Sequence, residues 1–223
     1  MTVLLVIMTF AAFVLLDLLL ARRGERREAP AHVLQVPMPA PAEPVWVAGF
    51  QLPEDRHYHP GHTWARLLDD DTVAVGMDDF AGRLVGGAER VALPAVGTWL
   101  RQGETGFGVG LDGRDARFVS PVEGEVVAVN ESLRSEPRLA TNDPYGRGWF
   151  VKLRAGDVAR DLRNLLSGSL ARRFMEDARE GLDLRLMALS GSVLQDGGEP
   201  VADFARHLPD AEWRRLVSDF LLT

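Results

Sequence analysis

Residues 120–130 read Ser-Pro-Val-Glu-Gly-Glu-Val-Val-Ala-Val-Asn, and the reading of that stretch decides the fold. Pro121 and Gly124 mark a turn, and Glu125-Val126-Val127-Ala128-Val129 is a run of β-formers of single-strand length. Thr72-Val73-Ala74-Val75-Gly76 upstream and Trp149-Phe150-Val151-Lys152-Leu153 downstream repeat the pattern. Turn signals separate these runs at Asp69-Asp70-Asp71, Pro94 with Gly97, Asp112-Gly113 and Pro144-Tyr145-Gly146. Short, regularly spaced strands from Val45 to Leu153 predict a mainly β domain, a small sandwich or barrel. One stretch breaks the rhythm. Asp78 to Val85 has acids at its start and apolar residues at 80, 81, 84 and 85, which predicts a short amphipathic helix with an aspartate cap.

Motifs follow one another in this region in a set order. His62-Thr63-Trp64-Ala65-Arg66 comes first, then Thr72–Gly76, Asp78–Leu84 and Val91-Ala92-Leu93-Pro94-Ala95-Val96-Gly97. Ser120 to Val127 follows, and then Asn142-Asp143-Pro144-Tyr145-Gly146-Arg147-Gly148-Trp149. Together they resemble the H protein of the glycine cleavage system, over about residues 57 to 155. The resemblance implies a lipoyl-domain-like barrel-sandwich hybrid fold. It also implies a lysine at the tip of a β-hairpin, whose amide with lipoate forms an arm that carries an aminomethyl group between enzymes.

That lysine stands seven residues before the serine of the Ser-Pro-Val segment, which here is Gly113. A shift of one residue gives Asp112 or Arg114, and neither offers the primary amine that an amide needs; a guanidinium stays protonated and delocalised. Lys152 is the sole lysine of the chain and falls in a strand. The expectation is therefore a degenerate member that has lost its lipoyl position and carries no cofactor. Asp112-Gly113 is a strong type I′ hairpin signal, so the hairpin itself is expected to persist. Asp112 and Arg114 are either parts of a decorative loop or parts of a polar protein-contact surface.

Composition removes several other functions. The chain of 223 residues has 25 basic and 32 acidic side chains, a net charge of −7, which argues against a sequence-independent grip on nucleic acid. Cysteine is absent, which excludes disulfides, thiolate nucleophiles and cysteine metal sites. Gly108 to Gly113 matches GxGxxG, but strand and turn residues follow it, not the helix a dinucleotide requires. His57, His59 and His62 are close in sequence, yet a structural role outweighs metal ligation because Pro60-Gly61 bends the segment. No nucleophile elbow or HExxH occurs. No enzyme, no bound metal and no small-molecule substrate are expected.

The two ends of the chain read differently from its middle. Residues 2–21 form a mostly apolar run with Asp17 as its only charge, and at 1.5 Å per residue they would reach roughly 30 Å, the thickness of a bilayer core. The rival reading, a cleaved signal peptide, is opposed by the absence of a basic residue before the run. An N-terminal transmembrane helix over 1–23 is expected. Arg22, Arg23, Arg26 and Arg27 after it place the bulk on the cytoplasmic side of a bacterial-type inner membrane, single-pass with the N-terminus out. Asp17 either reaches the headgroups or contacts another membrane helix.

Residues 24–44 read as a proline-rich linker and 45–156 as the β domain. Residues 157–223 read as a C-terminal α-helical extension. Within the extension, Leu170, Phe174, Ala178 and Leu182 recur on one face, and Trp213, Leu216, Val217, Phe220 and Leu221 on another. The second stripe faces either the β domain or a partner. The function expected is a non-enzymatic, membrane-anchored accessory subunit that docks on a larger membrane complex, with Asp17, Asp112, Arg114, Trp213 and Phe220 as contact candidates. The alternative is an aminomethyl carrier lipoylated at a non-standard site such as Lys152.

Overall fold

Thr72–Met77 is a strand in which all six residues are buried, and the rest of the architecture follows from covering it on both faces. The computed structural model describes residues 45–190, 205 and 208–222. In chain order the strands are β1 (Trp46–Val47), β2 (Phe50–Gln51), β3 (His57–His59), β4 (Thr63–Leu67), β5 (Thr72–Met77) and β6 (Arg90–Ala92). They continue as β7 (Trp99–Leu100), β8 (Thr105–Leu111), β9 (Arg114–Val119), β10 (Gly124–Val129) and β11 (Val151–Arg154). The helices are α1 (Asp79–Val85), α2 (Ser132–Ser135), α3 (Leu139–Asn142), α4 (Val158–Arg163), α5 (Gly168–Ser190) and α6 (Asp210–Leu221).

A six-stranded sheet has the order β3-β4-β5-β11-β10-β7, and a three-stranded sheet the order β6-β8-β9, with every pairing antiparallel. Aromatic side chains join the two sheets. Phe107 of β8 and Phe118 of β9 meet Phe150 with ring centroids 5.6 and 5.9 Å apart, all three buried. Each such side chain contributes about 1.5–3 kcal/mol by leaving water. Trp64 of β4 is fully buried under the Arg56 guanidinium, 4.7 Å from its ring centroid, and its indole N–H donates to the Pro144 carbonyl at 3.2 Å.

The aspartate-capped helix is present as α1. The Asp78 carboxylate accepts the Ala81 amide at 2.8 Å, and Gly86 ends the helix at φ 83°. Asp157 caps α4 in the same way, accepting from the Arg160 amide at 2.9 Å. The inward face of α5 differs from the expected one: Leu170 is 64% exposed, and the buried stripe is Ala171, Met175, Ala178 and Leu182. Leu170, in the first turn of α5, is the member of the expected stripe that points outward; Ala178 and Leu182 are buried as expected, and Phe174 stands 4.8 Å from the His62 ring.

The expected fold class needs one correction. No helix among the described residues is long and apolar enough to cross a membrane. Even α5, with 23 residues, carries charged side chains along its length. Residues 2–21, on which the N-terminal transmembrane helix was expected, lie outside the described residues, as do Asp17 and the proline-rich linker. The architecture found is a mainly β domain followed by helices. The single-pass localisation with the bulk on the cytoplasmic side, and the membrane complex as partner, rested on that helix and are corrected with it.

Candidate functional site

The β8–β9 hairpin turns through two residues, with Leu111 opposite Arg114 and Gly110 opposite Asp115. Asp112 sits at φ 51° and Gly113 at φ 78°, both left-handed, as a type I′ turn requires. Asp tolerates that region better than most residues, and glycine occupies it freely. A Cβ at Gly113 would meet nothing within 4 Å, so this position opens to solvent. The base of the turn is tied down by Glu89, whose carboxylate accepts the Asp112 amide at 3.2 Å, and by Arg90, which pairs with Asp115 at 2.7 Å.

Arg114 leaves the hairpin for a different part of the chain. Its guanidinium donates to the Asp210 carboxylate through Nε at 2.9 Å and Nη2 at 2.8 Å, and to the Leu208 carbonyl at 2.9 Å. It also lies 5.6 Å from the centre of the Trp213 ring. Helix α6 therefore starts at the hairpin tip. Trp213, Leu216, Val217 and Leu221 are buried beneath it, turned toward β9 and α1. At the far end the Phe220 ring, half-buried, stands 5.0 Å from Phe80 and 6.2 Å from His62. Arg185 of α5 pairs with Asp219 at 3.2 Å and covers Phe220 at 4.7 Å.

His62 marks the junction of these elements. It is buried at φ 58°, its Nδ1 lies 2.7 Å from the Asp78 carboxylate, and its ring stacks on Phe80 at 4.2 Å. The His59 Nδ1 accepts the Gly61 amide at 3.0 Å. Burial pushes both His57 and His59 below the ordinary imidazole range, with His62 adding to the effect at His59. Among the described residues no group of three or more His, Cys, Asp or Glu could hold a metal ion. The Gly108–Gly113 segment runs along β8 into the turn and returns as β9, so no helix receives a phosphate there.

Lys152 lies in the middle of the six-stranded sheet, between Ala128 of β10 and Ala74 of β5. It is 3% exposed, and its Nζ lies 5.2 Å from the centre of the Trp149 ring. Burial holds its ammonium below the ordinary lysine range, with the Asp69 charge opposing.

Comparison with known proteins places the body. The family model for the glycine cleavage H-protein matches residues 56–178. The chain belongs to the glycine cleavage H-protein family. It is 41% identical over 108 residues to the glycine cleavage system H protein of Mycobacterium avium, covering 48% of this chain and 82% of that one. To the H protein of Neisseria meningitidis it is 41% identical over 116 residues, covering 52% and 90%. The crystal structure of an H protein from Mycobacterium marinum is similar with a TM-score of 0.50 and 27% identity, covering 56% of this chain and 98% of that one.

The H-protein match contains both large sheets, α1 and the first part of α5, but not α6. Helix α6 is thus laid over an H-protein body from outside the matched region. Sequence reading singled out Arg114 and Trp213 separately. It could not bring them together, nor find Asp210 as the partner of Arg114, because 96 residues separate that pair. The only signal for Asp210 was its place after Pro209 at a helix start.

Proposed function

We propose that this H-protein-fold chain is a non-enzymatic subunit that carries no lipoyl arm and works by binding other proteins. One observation carries the reading: the hairpin tip is Asp112-Gly113, with no amine to acylate. The neighbouring Arg114 is engaged with α6. An arm fixed at Gly113 would also find the face leading to His62 occupied by α6. The charged groups around the tip are engaged locally: Glu89 accepts the Asp112 backbone amide, Arg90 pairs with Asp115 and Arg114 with Asp210. That pattern supports a structural role over a chemical one. The first partners to try are proteins of the glycine cleavage system, for which the relatives are named.

The names of the relatives favour a second reading, a true group carrier. That reading needs an acceptor amine, and Lys152, 3% exposed in a central strand, is poorly placed for a modifying enzyme. Co-expression with a lipoylating system followed by intact-mass measurement tests both. The expected result is an unmodified chain, with the Gly113→Lys variant serving as a positive control for the hairpin. A lipoyl adduct on the wild-type chain overturns the proposal.

A further inference from the structure

We propose that the surface cavity between the α1–β6 connection and the α2–α3 pair binds a small zwitterion with an apolar body, a free α-amino acid or a dipeptide. Its ammonium meets Glu89 and its carboxylate meets Arg138. The cavity measures about 480 Å³, within the range of small-molecule sites, and Glu89 places it beside the tip of the β8–β9 hairpin. One wall holds Ala88 and Glu89, and the other, residues 135–142, holds Glu136, Arg138 and Leu139. The site stands apart from the protein-binding reading above: it requires neither an arm on the hairpin nor a partner chain.

The walls are set before any ligand arrives. Gly82 of α1 backs onto α3, where a Cβ would lie 3.4 Å from the Thr141 carbonyl oxygen. The Glu89 amide donates to the Gly110 carbonyl at 2.9 Å, which ties that wall to β8. In the other wall the Arg138 carbonyl accepts the Asn142 amide at 2.9 Å and the Leu139 carbonyl accepts the Asp143 amide at 3.0 Å. A preformed site loses little freedom on binding.

Charge decides the class of ligand. Glu136 has Arg147 as its counter-ion at 3.6 Å. Glu89 accepts the Asp112 amide through Oε2 at 3.2 Å, which aims the carboxylate and leaves Oε1 to a ligand. Neither Glu89 nor Arg138 forms an ion pair with another described residue. The walls therefore offer one unmatched anion and one unmatched cation. A purely anionic guest would meet Glu89 and Glu136, and a purely cationic one would meet Arg138. Only a guest carrying both signs satisfies both, and a guanidinium suits its carboxylate because it can donate two parallel N–H bonds. Ala88, fully buried, and Leu139, half-buried, add apolar surface that a guest made of charged ends alone would leave wet.

The probes are L-leucine and leucyl-leucine, titrated into the full-length chain and followed by amide shifts in nitrogen–proton correlation spectra. At least one is expected to bind with a Kd below about 1 mM, moving the amides of residues 86–89 and 135–142, and the tighter of the two tells which source of the zwitterion the cavity takes. Leucinamide, which lacks the carboxylate, and 4-methylpentanoate, which lacks the ammonium, are each expected to bind about tenfold more weakly than leucine. Arg138→Gln should weaken leucine about tenfold and leave leucinamide unchanged. Glu89→Gln, which keeps an acceptor for the Asp112 amide, should weaken leucine to the same degree and leave 4-methylpentanoate unchanged. Both side chains are exposed, so both variants should keep the wild-type spectrum elsewhere. No shifts from either zwitterion at about 10 mM, shifts confined to other segments, or equal weakening of every probe by either variant overturns the proposal.

Discussion

Two hairpins of the same body are held in opposite ways. The β4–β5 hairpin turns through Leu68 to Asp71, where the Asp69 carboxylate accepts the amides of Asp71 and Thr72 at 3.3 and 2.8 Å. Its second strand is buried on both faces, and Gly76 leaves room for the Trp64 ring, which a Cβ there would meet at 2.7 Å. The β8–β9 hairpin alternates buried and exposed residues along β9, and its tip is open to water. Packing positions the first. Turn chemistry positions the second, together with an arginine that reaches a helix far along the chain. Damage to the first hairpin should therefore spread through the whole body, and damage to the second should stay local.

Trp64→Ala should give the largest effect. It removes a fully buried indole together with its contacts to Arg56 and Tyr145, at a cost of about 3–5 kcal/mol in a urea titration followed by far-UV dichroism. A loss under about 1 kcal/mol would mean that the β4–β5 hairpin is not held by burial.

Trp213→Ala removes a side chain that is almost as buried, at 3% exposure, yet its consequence should be confined. Hydrogen exchange should show the amides of 210–221 losing protection while those of 72–77 keep theirs. Equal loss in both segments would dissolve the contrast. Gly113→Ala comes next, at about 1 kcal/mol, since φ of +78° opposes any Cβ even where nothing crowds it.

The smallest effect concerns acid. Burial lowers the imidazoles of His57 and His59, so the unfolded chain takes up protons before the folded one. Their contribution to stability is full above the ordinary histidine value and is lost as pH falls through their folded values. Urea midpoints should therefore drop between about pH 7 and about pH 5, and His59→Gln should flatten the slope. A midpoint that rises over that window would reverse the assignment.

Much of the body was legible in the chain itself. β5 and β10 lie where their β-branched runs fall, the Asp78 cap begins α1, and Asp112-Gly113 makes the turn its residue types favour. These features are local, each set by a few neighbouring residues. The helical extension was less legible. Spacing of i,i+4 on α5 offers Arg172 to Glu176 and Arg173 to Asp177; Arg173 does pair with Asp177 at 3.6 Å, whereas Arg172 pairs with Glu54, 118 residues away. The inward face of α5 was misjudged at Leu170 for the same reason: periodicity gives a stripe, and only the surface it meets decides where the stripe begins.

The amino-acid order alone settled β5 and β10, the Asp78 cap, the Asp112-Gly113 turn and the residue types at its tip, because backbone preference and side-chain chemistry act over a few residues. Tertiary structure decided the burial of Lys152 and the meeting of Arg114 with Asp210. Both depend on segments distant in sequence being pressed together by a shared apolar core, and no local rule encodes which surface a given side chain will reach.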